Sequence, residues 1–273
     1  MTSLFFENVA AAVERAIQSA ETELPADVLS VLAQARDGET KTQAQGEYAN
    51  IFANLALARE KQVPICQDTG IIVLYFTLPP EVPLTEELYE AAREGVRRAT
   101  ASVPLRPNTV DAVGRENSKT NCGAGIPAVH VAPGEQFTVT VMPKGAGSEN
   151  MSQIKMMLPS EKDRIADFVV QVVREAGSRP CPPVVVGVGI GGTFDTCAAM
   201  AKEALLEDVS VMDAFERQIC DAVNRLGIGA MGLGGDTTAL AVKVKRASCH
   251  TASLPVAVNI QCWCCRKKTV VIE

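Results

Sequence analysis

The segment Pro64-Ile65-Cys66-Gln67-Asp68-Thr69-Gly70 sets a thiol, an amide, a carboxylate and a hydroxyl side by side and closes on a glycine. Such a run offers a soft metal ligand next to a group able to take a proton. Asp68 equally suits an Asx turn ahead of Thr69-Gly70. Cys181 and Cys262 stand in related places, in SRPCPPVVV and VAVNIQCW, each beside a proline or at the edge of an expected strand. Three thiolates suit a cubane iron–sulfur cluster with one iron left open, and four would close it. Zinc takes the same donors, but the chain has no paired C-x-x-C knuckles and CWCC is too cramped to act as one. A non-catalytic zinc- or redox-sensing module is therefore the alternative from another class. Cys122, Cys197 and Cys220 read as packing residues, and Cys249, Cys264 and Cys265 receive no role.

Nine cysteines in 273 residues make an odd number in a large chain, which argues against a secreted disulfide framework. A net charge of −6 without an extended basic patch argues against general nucleic-acid binding. The opening MTSLFFENVAAAVERAIQ carries Glu7, Glu14 and Arg15 inside its apolar pattern, so it reads as an amphipathic helix rather than a signal peptide. No apolar run approaches the roughly 18 residues of a membrane span. The expectation is a cytoplasmic protein with no membrane partner.

These residues need elements to hold them. Helical patterns run from Thr2 to about Ala35 with a break at Pro25–Asp27, then over 42–61 and 86–102. IIVLYFTL (71–78) is a strand, and AVHVAPGEQFTVTVMPKG reads as a hairpin turning at Pro133-Gly134. Between them, LRPNTVDAVGRENSKTNCGAGIP has no period, and a loop of that length in a compact protein is either functional or disordered. The last third alternates strands and helices. GVGIGGT (187–193) leads from a strand into a helix but departs from the dinucleotide fingerprint, and close strand–helix packing explains it equally well. The fold class expected is α/β, a composite mixed-sheet unit forming one domain over 1–273, with 1–62 mainly helical.

CQDTG, LRPNTVD, PKGAGSENMS, CPPVVVGVGIGGTFD, GLGGDTTALAVKV and HTASLPVAVNIQC occur in an order that resembles the α-type chains of class I fumarate hydratases and the related tartrate dehydratases. The resemblance spans almost the whole chain. It implies an oxygen-sensitive hydro-lyase with a 4Fe-4S cluster held by Cys66, Cys181 and Cys262 and one open iron. It places Gln67, Asp68, Arg106, Gly147, Asn150 and His250 around a small dicarboxylate substrate, with Asp68 as the base and His250 as a second catalytic candidate. It further implies a separate β subunit, in a hetero-oligomer such as α2β2, and fumarate–malate interconversion as in the tricarboxylic acid cycle. The alternative substrate is L(+)-tartrate, converted to oxaloacetate. NCGAGIPA (121–128) looks like the tartrate side of the family, whereas KGAGSENMS and GLGGDTTAL look like the fumarate side. CWCCRKK replaces the family's more usual tail of small residues and arginine.

Overall fold

A computed structural model describes residues 3–273, and the chain divides into two compact units. The first unit comprises residues 1–25, 54–145 and 266–273, and the second comprises 26–53 and 146–265. The protein is mixed α/β, as expected, with a helical N-terminal region. Helices α1 (Leu4–Thr22), α2 (Ala26–Gly38) and α3 (Thr42–Lys61) open the chain. Ser3 caps α1 by accepting the Phe6 N–H (3.0 Å). Among the described residues no helix is long and apolar enough to cross a membrane.

In the first unit, β1 (Ile71–Leu78), β2 (Ala128–Pro133), β3 (Thr138–Lys144) and β8 (Lys268–Val271) form one sheet in the order β2-β1-β3-β8. Ile72, Leu74 and Phe76 alternate along β1 and pack with Val139 and Val141 against α1 and α4 (Glu86–Ser102). The hairpin expected at Pro133-Gly134 does not form. β1 lies between the two strands, parallel to β2 and antiparallel to β3. The apolar β1, with Ile72, Val73, Leu74 and Phe76 each at most 2% exposed, takes the central position. The turn after β2 instead crosses the end of β1, where Gly134 N–H donates to Leu78 O (3.0 Å). β8 is four residues long and largely exposed, so its polar Lys268-Thr269 start carries no strand signal. It forms because β3 offers an open edge, with Thr140 and Thr269 hydroxyls 2.8 Å apart across the ladder.

The second unit has its own sheet in the order β4-β7-β5-β6, from β4 (Gln153–Met157), β5 (Val184–Ile190), β6 (Ala239–Arg246) and β7 (Leu254–Gln261). Val184, Val186 and Val188 face a core shared with α6 (Ile165–Ala176) and α8 (Ala214–Asn224). The alternate residues, Gly187 and Gly189, face α7 (Phe194–Glu203). A Cβ on Gly187 would stand 2.1 Å from Ala201 O, and one on Gly189 would stand 2.2 Å from Cys197 O. The glycines of GVGIGG therefore let a helix lie directly on a strand, which is the packing explanation for that motif.

Candidate active site

The first unit holds the CQDTG corner between α3 and β1. Cys66 and Asp68 are half-buried and Gln67 is exposed. Asp68 N–H points to the Cys66 sulfur (3.4 Å), while Asp68 Oδ1 accepts the Gly70 N–H (3.0 Å). The Asx turn thus sets the Asp68 backbone N–H on the Cys66 sulfur while holding the carboxylate on the Gly70 N–H. Gly70 has φ +75°, and a Cβ there would lie 2.7 Å from the Lys144 backbone, so the turn can press on β3 only as glycine. Asp68 Oδ2 lies 3.0 Å from the place a Cβ on Gly145 would take. The carboxylate thus lies close beside a residue that has no side chain.

Arg106 reaches this corner through its backbone. Its carbonyl accepts from the Thr69 hydroxyl (3.4 Å) and from Asn121 Nδ2 (3.1 Å), while its side chain is exposed and makes no ion pair among the described residues. Asn108 completes the join, donating to Thr69 Oγ1 and Gly70 O (3.2 Å each), and its own N–H donates to Asn121 Oδ1 (2.7 Å). Asn108 therefore stitches the aperiodic loop to CQDTG, and Asn121 holds Asn108 and Arg106 in place within the loop. Nothing in the local sequence marks either asparagine for this role, although Asn108 lies in LRPNTVD and Asn121 in NCGAGIPA.

The second unit brings Cys181 and Cys262 close in the chain's path. Trp263 N–H donates to Cys181 O (3.3 Å), so the residues following β7 run beside the turn that precedes β5. Cys181 is exposed and adopts φ +51°, and Cys262 is half-buried with its thiol directed at Cys264 O (3.7 Å). Gly147 and Asn150 lie in and just after the one-turn helix α5 (Ala146–Glu149). Ser148, between them, donates to Gln261 Oε1 (3.2 Å), the residue before Cys262. Glu149 pairs with Lys202 and accepts from Asn259 Nδ2 (3.1 Å), a half-buried network. His250 is exposed on the turn before β7. Its Nδ1 accepts Ala252 N–H (3.1 Å), and none of its hydrogen bonds among the described residues reaches the other candidates. His130 stacks on Tyr75 with ring centres 4.6 Å apart.

All nine cysteines are thiols. Cys122, Cys197, Cys220, Cys264 and Cys265 are buried. Burial pushes the Cys122 thiol up, and it pushes Cys197 and Cys220 up to about 11, so these three stay protonated thiols near neutral pH, as packing residues would. Four cysteines remain accessible: Cys66, Cys181, Cys249 and Cys262. Three of these are the expected cluster ligands, so the donor set fits an iron–sulfur group. Among the described residues no three His, Cys, Asp or Glu side chains gather as a single metal ion requires. A cubane differs in that each thiolate addresses its own iron.

Residues 10–271 match the model of the family described as Fumarate hydratase (Fumerase). A protein of Methanocaldococcus jannaschii named "Putative L(+)-tartrate dehydratase subunit alpha" is 43% identical over 257 residues, which are 89% of this chain and 90% of that one. The "L(+)-tartrate dehydratase subunit alpha" of Escherichia coli O157:H7 is 31% identical over 262 residues, 92% of this chain and 86% of that one. With the family match running through every element from α1 to β8, this chain belongs to the fumarate hydratase family of hydro-lyases.

Proposed function

We propose that the chain is the α subunit of a two-subunit iron–sulfur hydro-lyase that dehydrates L(+)-tartrate to oxaloacetate. One observation carries the substrate: relatives matched along about nine-tenths of the chain bear that name. Reversible hydration of fumarate to (S)-malate is the second reading. It is favoured by the family model's description and by the fumarate-like KGAGSENMS and GLGGDTTAL segments.

Cys66, Cys181 and Cys262 would hold a 4Fe-4S cluster through three thiolates. When bound, its open iron supplies the Lewis-acid pull on the departing hydroxyl. The chain's own residues do the rest. Arg106 presents a forked guanidinium to a substrate carboxylate. Gln67, Gly147 and Asn150 line the substrate, and His250 hydrogen-bonds it from the turn before β7. Asp68 takes the carbon-bound proton, held by the same turn that carries Cys66. The C–H electrons form the new C=C bond as the C–O bond breaks. The hydroxide takes a proton from solvent and leaves as water, Asp68 returns its proton to solvent, and the enol from tartrate becomes oxaloacetate by moving its hydroxyl proton to carbon. The 1–273 chain acts as one catalytic domain in the cytoplasm, with a β subunit completing the carboxylate grip.

The test is anaerobic reconstitution of the chain with its β subunit, followed by rates on L(+)-tartrate, malate and fumarate. The expected result is the highest kcat/KM with tartrate, together with iron and sulfide in the protein. A preference for malate and fumarate would favour the second reading. Zinc without sulfide, and no turnover of any of the three, would sink both.

A further inference from the structure

The first unit buries an ion pair that no catalytic role above uses. Arg266, 1% exposed, donates through one arm of its guanidinium to Glu21, which is fully buried at the end of α1. The other arm donates to the backbone carbonyl of Asp68 (2.9 Å). The Glu21 backbone grips the same segment, its carbonyl accepting Ile65 N–H (2.8 Å). Asn54 Nδ2 donates to Ile65 O (2.8 Å) from α3. The segment is thus tied at Ile65 and again at Asp68, and Glu21 takes part in both ties.

A buried Arg–Glu pair is a poor device for stability alone, since apolar side chains of similar volume usually do as well or better. Here the carboxylate is only partly satisfied, because Glu21 Oε1 makes no hydrogen bond among the described residues. What an apolar pair could not supply is a donor directed at the Asp68 peptide. Glu21 holds one arm of the fork so that the other meets a single carbonyl, and that carbonyl belongs to the residue proposed to move the proton.

We propose that Glu21 and Arg266 are positioning residues for Asp68, which fix the 66–70 turn and so the direction of its carboxylate. This rests on the proposed role of Asp68 in hydro-lyase chemistry. The pair never touches substrate; it acts by denying the turn its alternative conformations. A displacement of about 1 Å at a proton-transfer group can cost on the order of a hundredfold in rate.

The test is Arg266→Lys in the cluster-loaded protein assembled with its β subunit. Lysine keeps the charge facing Glu21 but has no fork with which to reach the Asp68 carbonyl as well. The expected result is a kcat about ten- to a hundredfold lower with KM changed less than about threefold. Iron and sulfide per chain stay at the wild-type level. Amide hydrogen exchange in a peptide spanning 63–72 rises about tenfold or more, while exchange in β5 does not move. Unchanged kcat and unchanged exchange at 63–72 would overturn the proposal. So would a variant that loses iron and loosens throughout, because the pair would then hold the fold rather than the turn. Should Arg266→Lys fail to fold, Glu21→Gln keeps the shape and one acceptor, and the same changes are expected at about three- to tenfold. A wild-type protein that carries the cluster but turns over none of the three acids sinks the functional reading; local exchange at 63–72 still decides whether the pair holds the turn.

Discussion

At the scale of residues, what separates the nine cysteines is access to solvent. Cys181 is exposed at the turn before β5, whereas Cys220 is buried on α8 with its sulfur near Ala239 O (3.7 Å). Cys181→Ser is expected to abolish iron retention after anaerobic reconstitution, and Cys220→Ser to leave it at the wild-type level; iron and sulfide analysis of the two purified variants checks this. Glu21 offers a second test. Burial pushes its carboxyl up to about 7, against the pull of Arg266. The folded chain therefore keeps a proton that the unfolded chain gives up nearer the ordinary value of 4.5. That contribution to stability is fully present below pH 4.5 and is lost as pH rises through about 7. Glutamine cannot ionise, so wild type should lose stability relative to Glu21→Gln between pH 5 and pH 8, by on the order of 2 kcal/mol. Urea unfolding of the two proteins at both pH values reads the difference; an offset that does not change with pH would contradict the assignment.

At the scale of elements, glycine content divides into two kinds with opposite predictions. Gly189 is the contact point of β5 and α7, and any side chain there meets the Cys197 carbonyl. Gly189→Val should cost at least about 3 kcal/mol, because a backbone group rather than a flexible side chain must give way. Gly46 is exposed on α3, and a Cβ there meets nothing within 4 Å. Gly46→Ala should stabilise by about 0.5–1 kcal/mol through better helix propensity. Thermal unfolding of both variants measures the pair, and similar changes in Tm would contradict the packing account. Helix and strand limits were legible where one face is apolar and the period is clean: α3, α4 and β1 fall on the residues their patterns predict. β4 and β8 were not legible, since each is short, largely exposed and shaped by the partner strand it joins.

At the scale of the whole molecule, the chain matches nearly the full length of relatives named as α subunits. The proposed function gives the chain a single exposed cation, Arg106, for a substrate carboxylate. A dicarboxylate needs two grips, so the purified chain with its cluster reconstituted is expected to show less than about 1% of the activity of the assembled protein. Titrating the β subunit into the chain should restore turnover to a plateau. Full activity of the chain alone would overturn the two-subunit proposal.

The sequence by itself determined the chemical vocabulary: which motifs occur, in which order, and hence the family and its class of reaction. Ordered short motifs survive in one dimension because each is a local device, a turn, a cap or a ligand beside its strand. Only the tertiary structure decided that β1 parts the apparent hairpin, that the glycines of β5 serve a helix, and that Arg266 reaches back 198 residues to the Asp68 carbonyl. Strand order and burial arise from which surfaces compete for the same core, and nothing local distinguishes a buried arginine from one in solvent. The physical reason is that hydrophobic burial and hydrogen-bond satisfaction are settled among residues far apart in the chain, after local pattern has already had its say.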